Sequence, residues 1–144
     1  MPVDVLLVED NSGDARLTFE TFRDANPSVK LHVVSDGVEA IEFLRRKGVH
    51  AKAPRPILIL LDLNLPKMDG REVLAKLKVD PKLDTIPVVI LTTSDAETDI
   101  TKCYQLGTNC YLTKPVGLAD FETMVKSVND FWLTKVKLPS TAPT

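Results

Sequence analysis

The chain has 144 residues, of which 44% are hydrophobic and 26% are charged, a composition typical of one globular domain with its own core. Eighteen Lys and Arg residues against 20 Asp and Glu residues leave a formal net charge of −2, which argues against a protein that coats nucleic acid. The two cysteines, Cys103 and Cys110, fit neither a disulfide scaffold nor a zinc-binding pattern.

Five short apolar runs predict five strands, at Val3–Val8, Val29–Val34, Ile57–Leu61, Pro87–Leu91 and Asn109–Leu112. Such runs are buried on both faces, as in a parallel sheet. Helical spacing separates them, most clearly in the stripe that comprises Leu118, Phe121, Val125, Val128 and Trp132. The alternation predicts an α/β fold with a single doubly wound, five-stranded parallel sheet and five helices, for which the flavodoxin-like strand order 2-1-3-4-5 is available.

The predicted domain covers residues 1–133, and a Pro/Ser/Thr-rich tail follows at residues 134–144. The longest apolar run has five residues, whereas a membrane-spanning helix needs about 20. No basic segment followed by an apolar stretch opens the chain, so we expect no signal peptide and a soluble, cytoplasmic protein.

Polar side chains follow most of the predicted strands. Glu9 and Asp10 come after the first, Asp62 after the third, Thr92 after the fourth and Lys114 after the fifth. In an open α/β sheet, ligands bind beyond the carboxyl ends of the strands. We therefore expect three carboxylates, a hydroxyl and an ammonium group to meet at one edge.

Three clustered carboxylates repel one another unless a cation joins them. Mg²⁺ is the fitting partner because it is hard, prefers oxygen and prepares a site for a phosphoryl group. In this interpretation Asp62 is a nucleophile that forms an aspartyl-phosphate.

Each residue also has a plainer explanation when it is taken singly. Asp62 could cap a helix, Glu9 and Asp10 could favour a helix dipole, and Thr92 could reflect strand propensity. The functional interpretation is favoured over these single-residue explanations because matching chemistry follows three separate strands.

These residues resemble the receiver domain of bacterial response regulators from about Val3 to Trp132. The motifs that carry the resemblance are Val8-Glu9-Asp10, Leu61-Asp62-Leu63-Asn64-Leu65-Pro66 with Asp69-Gly70, Leu91-Thr92-Thr93 and Tyr111-Leu112-Thr113-Lys114-Pro115. The separations from Asp62 to Thr92 (92 − 62 = 30) and from Thr92 to Lys114 (114 − 92 = 22) also suit that family.

The resemblance implies that Asp62 accepts a phosphoryl group from a phosphohistidine on a sensor histidine kinase. It implies that Glu9, Asp10, Asp62 and the main-chain carbonyl of Asn64 surround Mg²⁺. Thr92 and Lys114 would then bond the phosphoryl oxygens. The protein would be a phosphoacceptor switch, not an enzyme, and would assist only its own phosphorylation and dephosphorylation.

The same resemblance implies a switch made by Thr92 and Tyr111, whose ring turns inward as the hydroxyl moves toward the phosphoryl group. Asn64 and Ser94 occupy positions that tune the rate of dephosphorylation. A cis Lys114–Pro115 peptide bond is expected to aim the ammonium inward.

A finer resemblance is to the small response regulators of phytochrome histidine kinases in cyanobacteria and other bacteria. Its features are the basic loop Arg45–Pro56, the run Leu61–Leu74, and the ending Phe131-Trp132-Leu133 with Val136, Leu138 and Pro139.

About ten residues follow the fifth helix, too few for an output domain. Output is therefore expected through contact with a downstream protein, a phosphotransfer protein or a second copy of the chain, without nucleic acid or membrane. A homodimer through the fourth and fifth helices would use a dimer arm of Phe131, Trp132, Leu133, Val136 and Leu138, although such terminal apolar residues can also cap their own core.

Two rival functions share parts of this pattern. A haloacid-dehalogenase-type phosphatase needs a second Asp two residues after the nucleophile, where this chain has Asn64. A flavodoxin-type redox carrier needs a hydroxyl- or glycine-rich anion loop after the first strand, where this chain has Glu9-Asp10-Asn11.

Overall fold

The computed structural model describes residues 3–139, in which five strands and five helices alternate. The strands are Val3–Val8 (β1), Val29–Val34 (β2), Leu58–Leu61 (β3), Val88–Thr92 (β4) and Cys110–Thr113 (β5). The helices are Ser12–Ala25 (α1), Gly37–Arg45 (α2), Gly70–Val79 (α3), Glu97–Leu106 (α4) and Leu118–Trp132 (α5), with a 3₁₀ turn at Gly48–His50. Residues 1–2 of the predicted domain and residues 140–144 of the predicted tail lie outside the described part of the chain.

All neighbouring strands are parallel, and their order is β2-β1-β3-β4-β5, which confirms the predicted fold class. β3, β4 and β5 each begin one residue later than the apolar run predicts. At β4 the reason is chemical, because Pro87 has no N–H to donate and supplies only its carbonyl, which accepts from the Ile59 N–H at 3.0 Å.

The sheet is buried on both faces, as the continuous apolar runs predict. Side chains from α2, α3 and α4 cover one face, and side chains from α1 and α5 cover the other. The apolar stripe of α5 faces this second layer from Phe121 onward. The helical spacing also predicts that Leu118, the first residue of the stripe, is in the core; this is wrong, because the first turn of α5 is exposed and Leu118 is 72% accessible.

Strand register brings the carboxyl ends of β1, β2 and β3 to one level, and β4 and β5 end two residues beyond it at the same edge. Val8 at the end of β1 lies opposite both Val34 of β2 and Leu61 of β3, and the Asp62 N–H donates to the Val8 carbonyl at 3.1 Å. At the far side of the sheet, the Lys114 N–H donates to the Thr92 carbonyl at 2.7 Å. The side chains that follow these strands therefore start from the same edge.

Gly70 allows the start of α3 to lie against the end of β3. A Cβ atom at this position would sit 2.1 Å from the Asp62 carbonyl oxygen and 2.7 Å from the Leu63 Cα. Both neighbours are backbone atoms, which cannot move aside without shifting the strand that carries Asp62.

We therefore expect Gly70→Ala to lower the free energy of unfolding by about 1–3 kcal/mol, the usual cost of overpacking. The matched control is Gly13→Ala, because its Cβ would meet one side-chain atom, Asn11 Oδ1 at 3.3 Å, and no backbone atom. That control should change the stability by less than about 0.5 kcal/mol. Urea denaturation of both variants measures the difference, and equal stabilities would contradict the close-approach argument.

Candidate functional site

Three carboxylates gather at the edge where β1 and β3 end. Glu9, Asp10 and Asp62 each offer an oxygen atom, and these oxygens all lie within 4.8 Å of one another. Glu9 and Asp62 are buried, whereas Asp10 is exposed. The donor set consists only of oxygen and is open to solvent on one side, which fits a hard divalent cation that keeps some of its water.

The ammonium group of Lys114 lies among these carboxylates. Its Nζ donates to Glu9 Oε1 at 2.5 Å, to Asp14 Oδ2 at 3.0 Å and to Asp62 Oδ2 at 3.1 Å. The Lys114 side chain is only 4% accessible. The sequence-based prediction that an ammonium meets the acidic residues at this edge therefore agrees with the geometry.

Asp14 is a member of this cluster that the sequence analysis missed. It lies in the first turn of α1, where its N–H donates to the Oδ1 of the helix-capping residue Asn11 at 2.9 Å. The signal in the sequence is its position four residues after Asp10, since the helix begins at the edge where β1 ends.

Glu9, Asp62 and Lys114 shift one another's pKa values. Burial raises the pKa of Glu9 to about 7, even though the ion pair with Lys114 opposes this shift. Burial also acts to raise the pKa of Asp62, but the neighbouring Thr92 hydroxyl and Lys114 ammonium outweigh it and hold that pKa below its usual value. Burial acts to lower the pKa of Lys114, yet its carboxylate partners outweigh this and raise it. Asp62 is therefore an ionised carboxylate, the form that a nucleophile needs.

The Thr92 hydroxyl has an unusual environment for a polar atom. It is fully buried, and it completes no hydrogen bond with any residue between 3 and 139. A buried hydroxyl without a partner costs about 1–3 kcal/mol, so such a group calls for an explanation. Its proximity to Asp62 makes it a donor that is free for a group attached to that carboxylate.

The remaining predicted site residues surround this centre. Asn64 is exposed, and its N–H lies 3.4 Å from Asp62 Oδ1. Tyr111 is half-buried, and its hydroxyl donates to the Ser94 carbonyl at 2.8 Å. The Ser94 hydroxyl donates to Asp99 at 2.6 Å, so it is directed away from the acidic cluster.

The expected cis Lys114–Pro115 bond is wrong for this structure, because no cis peptide bond occurs in the described part of the chain. The physical reason is that β5 already ends at the correct edge, so the long Lys114 side chain reaches Glu9, Asp14 and Asp62 from a trans backbone. A trans X-Pro bond is also the more stable isomer by about 0.5–1 kcal/mol.

The predicted dimer arm has mixed surroundings. Trp132 and Leu133 pack against the core layer beneath α5, and Phe131 is 53% accessible. Beyond the helix the chain turns, with the N–H groups of Lys135 and Val136 donating to the Phe131 carbonyl. Val136 and Leu138 are half-buried. At least part of this segment therefore covers its own domain.

The fold and this arrangement of charges define a class of protein. The family model of the response regulator receiver domain matches residues 5–126, and the chain belongs to that family.

Within the family, the chain is 49% identical over 139 residues to the response regulator Rcp1 of Synechocystis sp. (strain ATCC 27184 / PCC 6803 / Kazusa). This match covers 96% of this chain and 95% of Rcp1. The crystal structure of the Mn²⁺-bound form of Rcp1 matches with a TM-score of 0.93 at 49% identity, covering 96% of this chain and 100% of that one. The phosphorylated cyanobacterial phytochrome response regulator RcpA matches with a TM-score of 0.94 at 48% identity, covering 97% and 100%. The chain is thus a response regulator similar to those of phytochromes.

The role of Lys114 as the shared cation can be measured without any phosphoryl donor. In metal-free buffer, we expect Lys114→Met to lower the free energy of unfolding by about 3 kcal/mol, because buried carboxylates lose their partner. Millimolar Mg²⁺ should narrow the gap between this variant and the parent, since a bound cation replaces part of the lost charge.

The matched control is Lys126→Met, which removes an exposed lysine that pairs with Asp130 at 3.2 Å. Exposed ion pairs contribute little, so this variant should unfold like the parent with or without Mg²⁺. Thermal and urea denaturation measure both. A Lys114→Met deficit that Mg²⁺ leaves unchanged would show that the carboxylates and the metal do not share this site.

Proposed function

We propose that this receiver accepts a phosphoryl group on Asp62 from a phosphohistidine of a phytochrome-type sensor histidine kinase, with Mg²⁺ as cofactor. The observation that carries the proposal is the set of contacts around Asp62. A buried, ionised carboxylate lies 3.1 Å from the Lys114 ammonium and beside the unpartnered Thr92 hydroxyl. These are a nucleophile, a fixed positive charge and a free donor in one place.

The phosphoryl transfer forms one bond to phosphorus and breaks another. An Asp62 carboxylate oxygen attacks phosphorus, the P–N bond to the kinase histidine breaks, and the imidazole nitrogen keeps the electron pair. Lys114 and Thr92 then donate hydrogen bonds to the phosphoryl oxygens. Mg²⁺ held by Glu9, Asp10, Asp62 and the Asn64 carbonyl would neutralise charge on the transferred group.

Two relatives support the metal and the modification. Rcp1 has a Mn²⁺-bound structure. RcpA, a cyanobacterial phytochrome response regulator, has a phosphorylated structure. In this chain the acidic cluster offers oxygen ligands of the kind that both Mn²⁺ and Mg²⁺ accept. We propose Mg²⁺ because it is the metal ion that phosphoryl transfer most commonly uses.

We also propose how the phosphoryl group is removed and read out. The chain assists its own phosphorylation and dephosphorylation and turns over no other substrate, with Asn64 and Ser94 tuning the lifetime. Thr92 and Tyr111 form the switch, because the Tyr111 hydroxyl is bonded to the loop that follows Thr92. The readout is a contact with a downstream protein or a phosphotransfer protein.

A homodimer is part of the proposal. Exposed apolar side chains lie on the helices that flank β5, among them Tyr104 of α4 with 50% and Phe131 of α5 with 53% accessibility. A second copy of the chain could cover them, and Val136 and Leu138 would extend that surface. For location we propose the cytoplasm; in the described residues no helix is both long and apolar enough to cross a bilayer.

The phosphoacceptor is tested by Asp62→Asn. We expect this variant to lose all acid-labile phosphate uptake from acetyl phosphate with Mg²⁺, because the amide cannot act as the nucleophile. The control is Asp84→Asn, an exposed Asp in the loop before β4, which should be phosphorylated like the parent. Phosphate-affinity gels and intact-mass spectrometry measure uptake, and persistent modification of Asp62→Asn would contradict the assignment.

The dimer is tested by Phe131→Ser. Sedimentation velocity should show a weaker dimer, since the substitution removes an exposed apolar ring from the α5 surface. The control is Phe19→Ser on α1, where the ring is 41% accessible but lies away from α4 and β5. A dimer that is equally strong in all three proteins, or a parent that is monomeric with and without phosphorylation, would overturn this part of the proposal.

A further inference from the structure

A cleft lined by cations lies at the edge of the sheet opposite to Asp62. α2 and α3 both begin close to the loop that follows β3 and run back toward the other edge, so their last residues lie far from the phosphoacceptor. There, the end of α2, the loop after it and the loop between α3 and β4 surround a space of about 630 Å³. We call it the basic cleft, after the five cations that line it: Arg45, Arg46, Lys47, Arg55 and Lys82.

The basic cleft carries far more positive than negative charge. Asp80 is the one carboxylate among the lining residues that the structure describes, and it lies 3.7 Å from Arg45 Nε. Between residues 3 and 139, the other four cations form no ion pair with a carboxylate. A concave surface of one charge sign concentrates ions of the opposite sign. The cleft is therefore suited to an anion that carries several charges.

Arg55 is held in place by neutral neighbours. Its Nη1 donates to the Lys82 carbonyl at 2.6 Å, and its Nη2 donates to the Thr85 hydroxyl at 3.1 Å. These acceptors orient the guanidinium without neutralising its charge, and a guanidinium has further N–H groups to donate. Because the side chain is already ordered, it loses little conformational entropy when a ligand binds.

Arg46 occupies a backbone conformation that favours glycine. It ends α2 in the left-handed region, with φ 57° and ψ 50°, where helix ends usually have Gly or Asn because a Cβ atom is strained there. Its N–H donates to the Phe43 carbonyl at 3.2 Å, a main-chain bond that glycine would also make. Neither feature requires an arginine side chain, so the charge that Arg46 brings to the cleft is what favours it at this position.

Cations near the ends of helices also have a plainer role, because they stabilise the negative end of the helix dipole. Arg45 lies in the last turn of α2 and fits this role. The dipole effect is confined to the last turn, whereas Lys47, Arg55 and Lys82 lie outside the α-helices. Helix dipoles therefore explain Arg45 but do not explain why the other cations gather around the same space.

We propose that the basic cleft binds a small molecule that carries an oligophosphate chain, either a nucleoside triphosphate or an inorganic oligophosphate. Guanidinium groups match the geometry of phosphate oxygens with paired N–H donors. A volume of about 630 Å³ lies within the range of small-molecule sites. The buried side chains of Leu44 and Leu83 form part of the wall and offer an apolar surface to an organic group.

An acidic peptide fits this charge arrangement less well. Side chains on one face of an extended peptide are about 7 Å apart, whereas neighbouring phosphates of an oligophosphate share an oxygen atom. Five cations around one small space thus match the denser charge of the oligophosphate.

The experiment titrates ATP and inorganic tripolyphosphate into the full chain by isothermal titration calorimetry in metal-free buffer, in which the carboxylates around Asp62 repel phosphate. We expect both to bind. Tighter binding of ATP identifies a nucleotide as the ligand, and equal binding identifies the inorganic chain. Absence of binding by both overturns the proposal. A glutamate peptide of equal charge that binds more tightly than both also overturns it, because the partner is then an acidic protein segment.

A pair of double variants locates the site. Lys47→Gln with Lys82→Gln should weaken tripolyphosphate binding about ten-fold or more, because two charge-assisted contacts are lost. The matched control is Lys102→Gln with Lys126→Gln, which removes exposed lysines from α4 and α5 and should bind like the parent. Equal weakening in both double variants would show a response to total charge and would overturn the proposal.

Two single variants separate binding from folding and from phosphorylation. Arg46→Gly should unfold at the temperature of the parent or higher, because glycine suits this conformation, yet it should bind tripolyphosphate about three-fold more weakly. Unchanged affinity in Arg46→Gly contradicts the proposal. Asp62→Asn should bind like the parent; loss of binding there would place the anion at the phosphoacceptor and overturn the cleft as its site. Neither failure of the cleft would affect the proposed role of Asp62.

Discussion

The buried ammonium of Lys114 is the interaction on which the site depends. Glu9, Asp14 and Asp62 would repel one another at this spacing, and burial makes that repulsion costly. One cation within 2.5–3.1 Å of all three makes the cluster compatible with a folded domain. Together with the Thr92 hydroxyl, the same cation holds the pKa of Asp62 below its usual value and keeps it ionised, so the Lys114 contact serves both stability and reactivity.

That contact exists because a parallel sheet delivers distant residues to one edge. Glu9 and Lys114 are 105 positions apart in the chain, yet both directly follow strands that end at the same edge of the sheet. The close approach of Gly70 to the Asp62 carbonyl holds the middle of this edge in place. The chemistry is therefore a consequence of strand register, and a shift in one strand would separate the charges.

The site borders the β4–α4 loop, residues 93–96. Thr92 faces the carboxylates with an unpartnered hydroxyl, while Ser94 is bonded to Asp99 and Tyr111. A receiver needs two arrangements that differ by a few kcal/mol, so that a phosphoryl group can shift their populations.

Much of the fold and of the reactive centre follows from the sequence alone. Continuous apolar runs determined the parallel sheet, and polar residues placed directly after those runs determined that Glu9, Asp10, Asp62, Thr92 and Lys114 share an edge. These are local patterns, because a residue that directly follows a buried strand lies at the edge of the sheet where that strand ends. Right-handed crossovers leave few topologies, and the observed order β2-β1-β3-β4-β5 is among them.

The tertiary structure decided what depends on side-chain direction and on contacts between distant elements. Asp14 joins the cluster because the first turn of α1 lies within reach of Lys114, and Asp99 meets Arg71 because α4 packs beside α3. The sequence likewise could not show that Leu118 is exposed, since its helical spacing matches the buried stripe, or that Lys114 reaches its partners from a trans backbone. Spacing specifies which face of an element a residue occupies, whereas the packing of neighbouring elements determines what that face meets.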